Sequence, residues 1–239
     1  GSIRFIDALF TATSAVCVTG LTVIDISKEL TLFGRIVLII LIQIGGLGII
    51  SISAIVLLFS VSKGSVQDRI RTLEMFNTQN KNIIRSTIKV IFLATFIIEF
   101  AGAISLFTVF NNNSSTKLGE KIFSSLFHSI SSFCNAGFSL YSDSLHRYSN
   151  NITITATVCL LIIFGGIGYP VILTVFFAIK NKIMRKKYMI DMQTSIVLFT
   201  TFILILFGFL FIFFNEYNGA LNGLPLREKI LISIFQSIN

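Results

Sequence analysis

Leu9 to Val23, LFTATSAVCVTGLTV, aligns without a gap to Leu126 to Leu140, LFHSISSFCNAGFSL, with Leu, Phe, Ser, Cys and Gly matched in the same order. A chain that repeats a unit in this way folds each copy into a similar supersecondary element, which narrows the available folds to repeat architectures. Ile234 to Asn239, IFQSIN, matches the start of the unit a third time. Each full copy is a short apolar helical segment running into a small-residue tract, Cys17-Val18-Thr19-Gly20 or Cys134-Asn135-Ala136-Gly137. A long apolar helix then follows. That order is the one expected of a re-entrant loop that enters a membrane and turns back.

Composition places the repeat in a bilayer. With 54% hydrophobic residues, only 13% charged residues and 25 Phe, the chain carries more apolar surface than a soluble core could bury. A hydrocarbon core of about 30 Å requires roughly 20 apolar residues to cross it as a helix. Four stretches meet that length: Leu32 to Ser60, Ile88 to Phe110, Ile152 to Ile179 and Ile190 to Phe214. The first and third are overlong and contain glycines, which predicts tilt or a local break.

The net charge of +8 is concentrated in two places. Lys63, Arg69, Arg71, Lys81, Arg85 and Lys89 lie between the first and second spans, and Lys180, Lys182, Arg185, Lys186 and Lys187 between the third and fourth. Basic clusters between spans mark cytoplasmic loops rather than a nucleic-acid surface, so the intervening Asn111 to Asn151 segment is external. It must begin and end on the same side. Lys121 to Phe133 is too short to span but fits a helix that dips halfway into the membrane.

A second internal match ties the long helices together. QIGGLG, Gln43 to Gly48, corresponds to FGGIG, Phe164 to Gly168, each with its paired glycines 25 to 29 residues beyond the glycine of its preceding tract. A helix-interior glycine costs roughly 1 kcal/mol relative to alanine, so a recurring pair signals close helix approach or a bend. Gly45, Gly46, Gly165 and Gly166 are therefore candidates for a helix break or gate, with simple helix packing as the alternative. Tyr169-Pro170 follows only the second copy and predicts a kink there.

These residues resemble the potassium-translocating membrane subunits of the Trk/Ktr/HKT superfamily, the Ktr-type bacterial proteins of the TrkH family most closely. Phe5 to Val23, Phe127 to Leu140 and the stretch from Asn215 to Asn239 carry the likeness, in the family's order and spacing. The resemblance implies an all-α integral membrane fold of repeated units, each an outer helix, a re-entrant pore helix with its filter, and an inner helix, as in potassium channels. On it, residues 1–75 form a first unit without its outer helix, 76–187 a complete second, and 188–239 the outer and pore helices of a third, with a fourth absent. It also implies a multi-pass protein of the bacterial inner membrane, paired with a second copy of itself. A cytosolic ring of nucleotide-binding regulatory subunits is implied as a further partner. K+ is the implied cargo, with Na+ as a candidate coupling ion and no organic cofactor.

Filter chemistry of that kind needs only backbone, because rings of main-chain carbonyls replace an ion's water without adding net charge. Glycine permits the backbone angles that aim them inward. Gly20 and Gly137 are the positions expected to do so, with the carbonyls of Val18, Thr19, Asn135 and Ala136 beside them. In the resembling family a glycine at the first position accompanies potassium preference, and serine accompanies sodium preference. The pore helices Phe5 to Val16 and Lys121 to Phe133 should direct their negative ends at the path.

Other polar residues have local explanations. Glu99 sits mid-span, where a structural hydrogen bond is favoured over a role on the ion path. His128 reads as a packed, hydrogen-bonded imidazole, Asp7 as a cap or dipole partner of the first short helix, and Cys17 and Cys134 as packing behind the tracts. Cys17, Cys134 and Cys159 lack zinc or redox spacing. Asn113-Ser114-Ser115 and Asn151-Ile152-Thr153 match a glycosylation pattern of low specificity. The residues admit two other readings: a membrane subunit with a structural or assembly role, and an intramembrane enzyme using His128 with Cys134 or Ser131. No acid, metal set or phosphate loop completes such an enzyme, so no catalysis is expected.

Overall fold

The computed structural model describes residues 3–48, 81–111, 117–184 and 191–239. Among them every regular element is helical: α1 (Phe5–Val16), α2 (Ile26–Glu29), α3 (Leu32–Gly46), α4 (Lys81–Phe110), α5 (Leu118–Phe133), α6 (Ile152–Gly166), α7 (Tyr169–Ile183), α8 (Met192–Asn215) and α9 (Leu226–Ile238). Short polar side chains set several starts by accepting an otherwise orphaned amide N–H. Asp25 caps α2, Thr31 caps α3, Asn151 caps α6 and Asp191 caps α8. The Asn151 side chain of the second glycosylation-like triplet is thus engaged at a helix start; the first triplet lies outside the described residues.

Among the described residues two helices are long and apolar enough to cross a bilayer, Lys89–Phe110 within α4 and Met192–Asn215 of α8. The third expected span has the local break that its glycines predict. It is two helices, α6 and α7, bent by 107°. Gly168, at φ +83°, makes the break in the left-handed conformation that commonly ends a helix. Pro170 is the second residue of α7, where a missing N–H costs nothing because the first turn has no helical acceptor for it. In the first expected span, α3 stops at Gly46 and Gly48 takes the same left-handed conformation at φ +78°. Residues 49–60 of that span lie outside the described residues, as do Lys63, Arg69, Arg71 and Arg185 to Lys187 of the basic clusters.

Packing follows the repeat. α1 lies on α3, and α5 lies on α4 and α6; α3 also meets α5, as α6 meets α9, and α8 packs on α9 and α7. The central core joins α1, α3, α5 and α6 through Ala15, Leu38, Ile42, Phe127, Phe133 and Leu161. A second cluster, Leu106, Phe110, Ile154 and Val158, holds α4 to α6. None of the apolar window of α8 is buried, and Phe199, Phe202, Phe207, Phe211 and Phe214 point outward. Such a surface suits lipid, where it displaces no water.

Candidate functional site

The two small-residue tracts have the same backbone. At the end of α1, Cys17 N–H donates to Thr13 O, Val18 N–H to Ala15 O at 3.2 Å and Thr19 N–H to Ser14 O at 2.9 Å. At the end of α5, Cys134 N–H donates to Ile130 O, Asn135 N–H to Ser132 O at 3.1 Å and Ala136 N–H to Ser131 O at 2.8 Å. Each set is a Schellman closure, in which a left-handed residue after the cap lets the last amides fold back onto the helix. That residue is Val18 (φ 56°) in one tract and Asn135 (φ 57°) in the other. Gly20 (φ 75°) and Gly137 (φ 70°) repeat the left-handed angle two residues on, with negative φ at Thr19 and Ala136 between.

This alternation has a direct consequence for the carbonyls. In a trans peptide the C=O points opposite to the N–H of the same plane. Because the N–H groups of Val18, Thr19, Asn135 and Ala136 all return to the helix ends, the carbonyls of Cys17, Val18, Cys134 and Asn135 face away from them. Among the described residues no hydrogen bond is directed at the carbonyls of Val18, Thr19, Asn135 or Ala136. The tracts also touch. A Cβ on Gly20 would lie 2.6 Å from Ala136 O, and one on Gly137 would lie 3.7 Å from the Gly20 Cα.

The paired glycines receive the helix ends. A Cβ on Gly45 would collide with the carbonyl of Val16, and one on Gly165 with the carbonyl of Phe133, the last residue of α1 and of α5 respectively. A Cβ on Gly46 would collide with the Cys134 side chain, whereas one on Gly166 would meet only Asn135 Nδ2 at 3.6 Å. Gly45, Gly46 and Gly165 lie at close approaches and Gly166 does not, and the left-handed glycines are Gly48 and Gly168. Cys134 is buried behind its tract; Cys17, at the matched position, is exposed.

Polar side chains brace the second tract. Ser131 Oγ donates to Phe138 O at 2.8 Å. His128 Nδ1 donates to Ser124 O at 2.7 Å, which leaves Nε2 as the acceptor for the Leu140 N–H and Ser139 Oγ. The imidazole stacks on Tyr141 at 4.9 Å and is 2% exposed, with Nδ1 tied to α5 itself and Nε2 committed to the outgoing segment of the loop. Glu99, 3% exposed, accepts from Gln43 Nε2 at 3.0 Å and so ties α4 to α3. Asp7 lies in the first turn of α1 and is held by Arg4 at 2.7 Å; Arg4, not Asp7, occupies the cap position. Among the described residues no group of three or more His, Cys, Asp or Glu is placed to hold a metal ion.

Three features escaped the sequence. The left-handed valine carries no signal, since valine is a poor resident of that region. Gln43 as partner of Glu99 depends on a contact across 56 positions. The breaks at Gly48 and Gly168 could have been found, because each is the glycine just past a helix-terminal pair.

A wholly helical arrangement among the described residues, with two bilayer-length apolar helices, defines an α-helical membrane protein. The chain belongs to the TrkH family, described as cation transport proteins, whose family model matches residues 1–238. That family is a class of transporters and not of enzymes. The chain is 35% identical over 238 residues to the Ktr system potassium uptake protein B of Bacillus subtilis, covering 99% of this chain and 52% of that protein. It is 36% identical over 239 residues to the potassium/sodium uptake protein NtpJ of Enterococcus hirae, covering 99% of this chain and 51% of that one. It is also 36% identical over 234 residues to the Ktr system potassium uptake protein B of Vibrio alginolyticus, covering 97% of this chain and 50% of that protein. The chain thus spans about half the length of the curated relatives it matches.

Proposed function

We propose that these residues form part of a potassium-uptake path through a cell membrane, with Val18, Thr19, Gly20, Asn135, Ala136 and Gly137 as its filter. The observation that carries this reading is the matched alternation of left-handed angles at Val18 and Gly20 and at Asn135 and Gly137, with carbonyls that no donor among the described residues occupies. An ion that sheds its water must gain several oxygen ligands at once, and neutral carbonyls supply them while still letting the ion leave. The C-terminal ends of α1 and α5 aim about half a negative charge each at the same point, which favours a cation.

On this reading α1, α5 and α9 are pore helices, α4 and α8 outer helices, and α3 and α6 inner helices, in units of residues 1–75, 76–187 and 188–239. Potassium as cargo is supported by the names of the relatives, and the pairing of potassium with sodium in the name of NtpJ keeps sodium as a second or coupling ion. The naming of a Ktr system supports association with further subunits, which this reading takes to be a second copy of the chain and a cytosolic nucleotide-binding ring. The basic residues of Lys63 to Lys89 and Lys180 to Lys187 would face that ring from the inner side of the bacterial inner membrane.

The test uses the full-length protein in a potassium-uptake-deficient strain grown at low potassium, with and without excess sodium. Gly20→Ser and Gly137→Ser are each expected to weaken discrimination for potassium. Unchanged ion preference in both variants overturns the filter assignment.

A further inference from the structure

Two short helices, α5 and α9, are fastened to the long apolar helix preceding each by the same pair of contacts. Lys121 Nζ, in the first turn of α5, donates to the Asn111 carbonyl at 2.9 Å, just past the end of α4. Lys229 Nζ, in the first turn of α9, donates to the Tyr217 carbonyl at 2.8 Å, just past the end of α8. Eight residues further along each short helix a serine repeats the pattern. Ser129 Oγ donates to Glu99 O at 2.6 Å, and Ser237 Oγ donates to Ile205 O at 2.7 Å.

The receiving side recurs as well. Glu99 lies three residues before Gly102, and Ile205 three before Gly208. A Cβ at either glycine would lie 2.6 Å from the serine Oγ, so each serine reaches its carbonyl only because the long helix lacks a side chain there. Asn111 follows Glu99 by twelve residues, as Tyr217 follows Ile205. Two helix pairs that share no residues thus carry one four-part arrangement in one register.

Two attachment points about 12 Å apart, eight residues at 1.5 Å each, constrain both the depth and the tilt of a rigid helix, where one point would leave it free to pivot. The C-terminal end of α5 runs without a linker into Cys134-Asn135-Ala136-Gly137. A shift of the helix therefore moves those carbonyls by the same amount. In the first copy the matched positions are Arg4, which is held by Asp7, and Ala12, which has no hydroxyl.

We propose that Lys121 with Ser129, and Lys229 with Ser237, are positioning residues for ion selectivity: a two-point clamp that sets each short helix against its long neighbour and so sets the spacing of the carbonyls beyond it. The inference rests on the filter reading. The clamp residues touch no ion; they act through the helix.

The experiment measures rubidium uptake against sodium competition by the full-length protein in an uptake-deficient strain, with membrane abundance measured in parallel. Ser129→Ala, Ser237→Ala and Lys121→Met are each expected to make sodium about three- to tenfold more competitive, the scale of one net hydrogen bond. Lys121→Arg, which keeps a donor, is expected to retain discrimination. Where Ser237→Ala lowers abundance, Gly208→Ala tests the same link, since the three atoms nearest its Cβ would all belong to Ser237, whose hydroxyl it would push off the Ile205 carbonyl. Lower abundance or maximal rate with unchanged discrimination in all these variants makes the contacts merely structural and overturns the proposal. Gly20→Ser run alongside separates the two readings. If it alters discrimination while the clamp variants do not, only the clamp falls; if none does, the filter reading falls and takes the clamp with it.

Discussion

Val18 and Asn135 sit at the same point of the same turn, at φ 56° and 57°, and only one of them suits it. Asparagine tolerates the left-handed region, whereas a β-branched side chain there is an outlier. The second tract is also braced on every side. The Asn135 amide lies 3.3 Å from the carbonyls of Ser132 and Ile162, Ser131 holds Phe138 O, and Cys134 fills the gap over Gly46. The first tract has the bond between Ser14 Oγ and Thr19 Oγ1 at 2.8 Å, an exposed Cys17, and the contact of Gly20 with Ala136 O. Local sequence favours the turn in the second copy. In the first, it is held against the preference of its valine by packing on α3 and on the second tract.

The largest break in this comparison should come at Gly20. Alanine in the left-handed region costs about 1–2 kcal/mol at either glycine. At Gly20 the added Cβ also lies 2.6 Å from Ala136 O, while at Gly137 it meets nothing closer than 3.7 Å. Gly20→Ala is expected to abolish selective rubidium uptake by the full-length protein, and Gly137→Ala to reduce it by about tenfold, in line with a backbone cost alone. Equal effects would mean that the contact between the tracts carries no weight.

A smaller effect separates Gly46 from Gly166. Gly46→Ala overpacks Cys134 and should destabilise the purified protein by about 1–3 kcal/mol, whereas Gly166→Ala has open space and should fall within about 0.5 kcal/mol. Thermal unfolding in detergent checks both. Cys134→Gly is expected to restore part of the Gly46→Ala loss, which a strained helix backbone would not allow.

Exchanging the turn residues sharpens the comparison further. Val18→Gly removes the left-handed penalty and should stabilise by about 1 kcal/mol; Asn135→Val should destabilise by about as much. The same thermal measurement reads both signs. A neutral Val18→Gly would show that the first tract carries no strain.

The smallest effect lies in the loop between α5 and α6. Arg147 donates to Asp143 at 2.6 Å and holds its carboxyl below the ordinary value of 3.8. A depressed carboxylate contributes stability that is present above 3.8 and lost as pH falls through its lower folded value. The pair is solvent-exposed, so the change is slight. Melting temperature followed to acid pH should fall less in Asp143→Asn than in the parent, because the variant has already lost the pair.

Much of the fold was legible. α1 spans the expected Phe5–Val16, and α5 begins only three residues before the expected Lys121. The gapless match of the two tracts carried over to their backbone because the turn is made by local hydrogen bonds within six residues. The kink expected at Pro170 was misplaced for a physical reason: proline is comfortable in a first turn, and the neighbouring Gly168 is the residue free to reverse the chain. The partner of Glu99 and the clamp on Gly102 and Gly208 were illegible, since a glycine inside an apolar run looks the same whether it faces lipid or a serine.

By itself the sequence determined what depends on neighbours along the chain: the apolar helices, their capped starts, the repeated unit and the glycines that end or thin a helix. Those follow from propensity, periodicity and the backbone freedom of single residues. Only the tertiary structure decided which glycine receives which side chain or carbonyl, that Cys134 is covered while Cys17 is not, and that a valine adopts a left-handed turn. The reason is that such outcomes depend on surfaces far apart in sequence. A local preference of about 1 kcal/mol yields when packing on the other side of the chain supplies more.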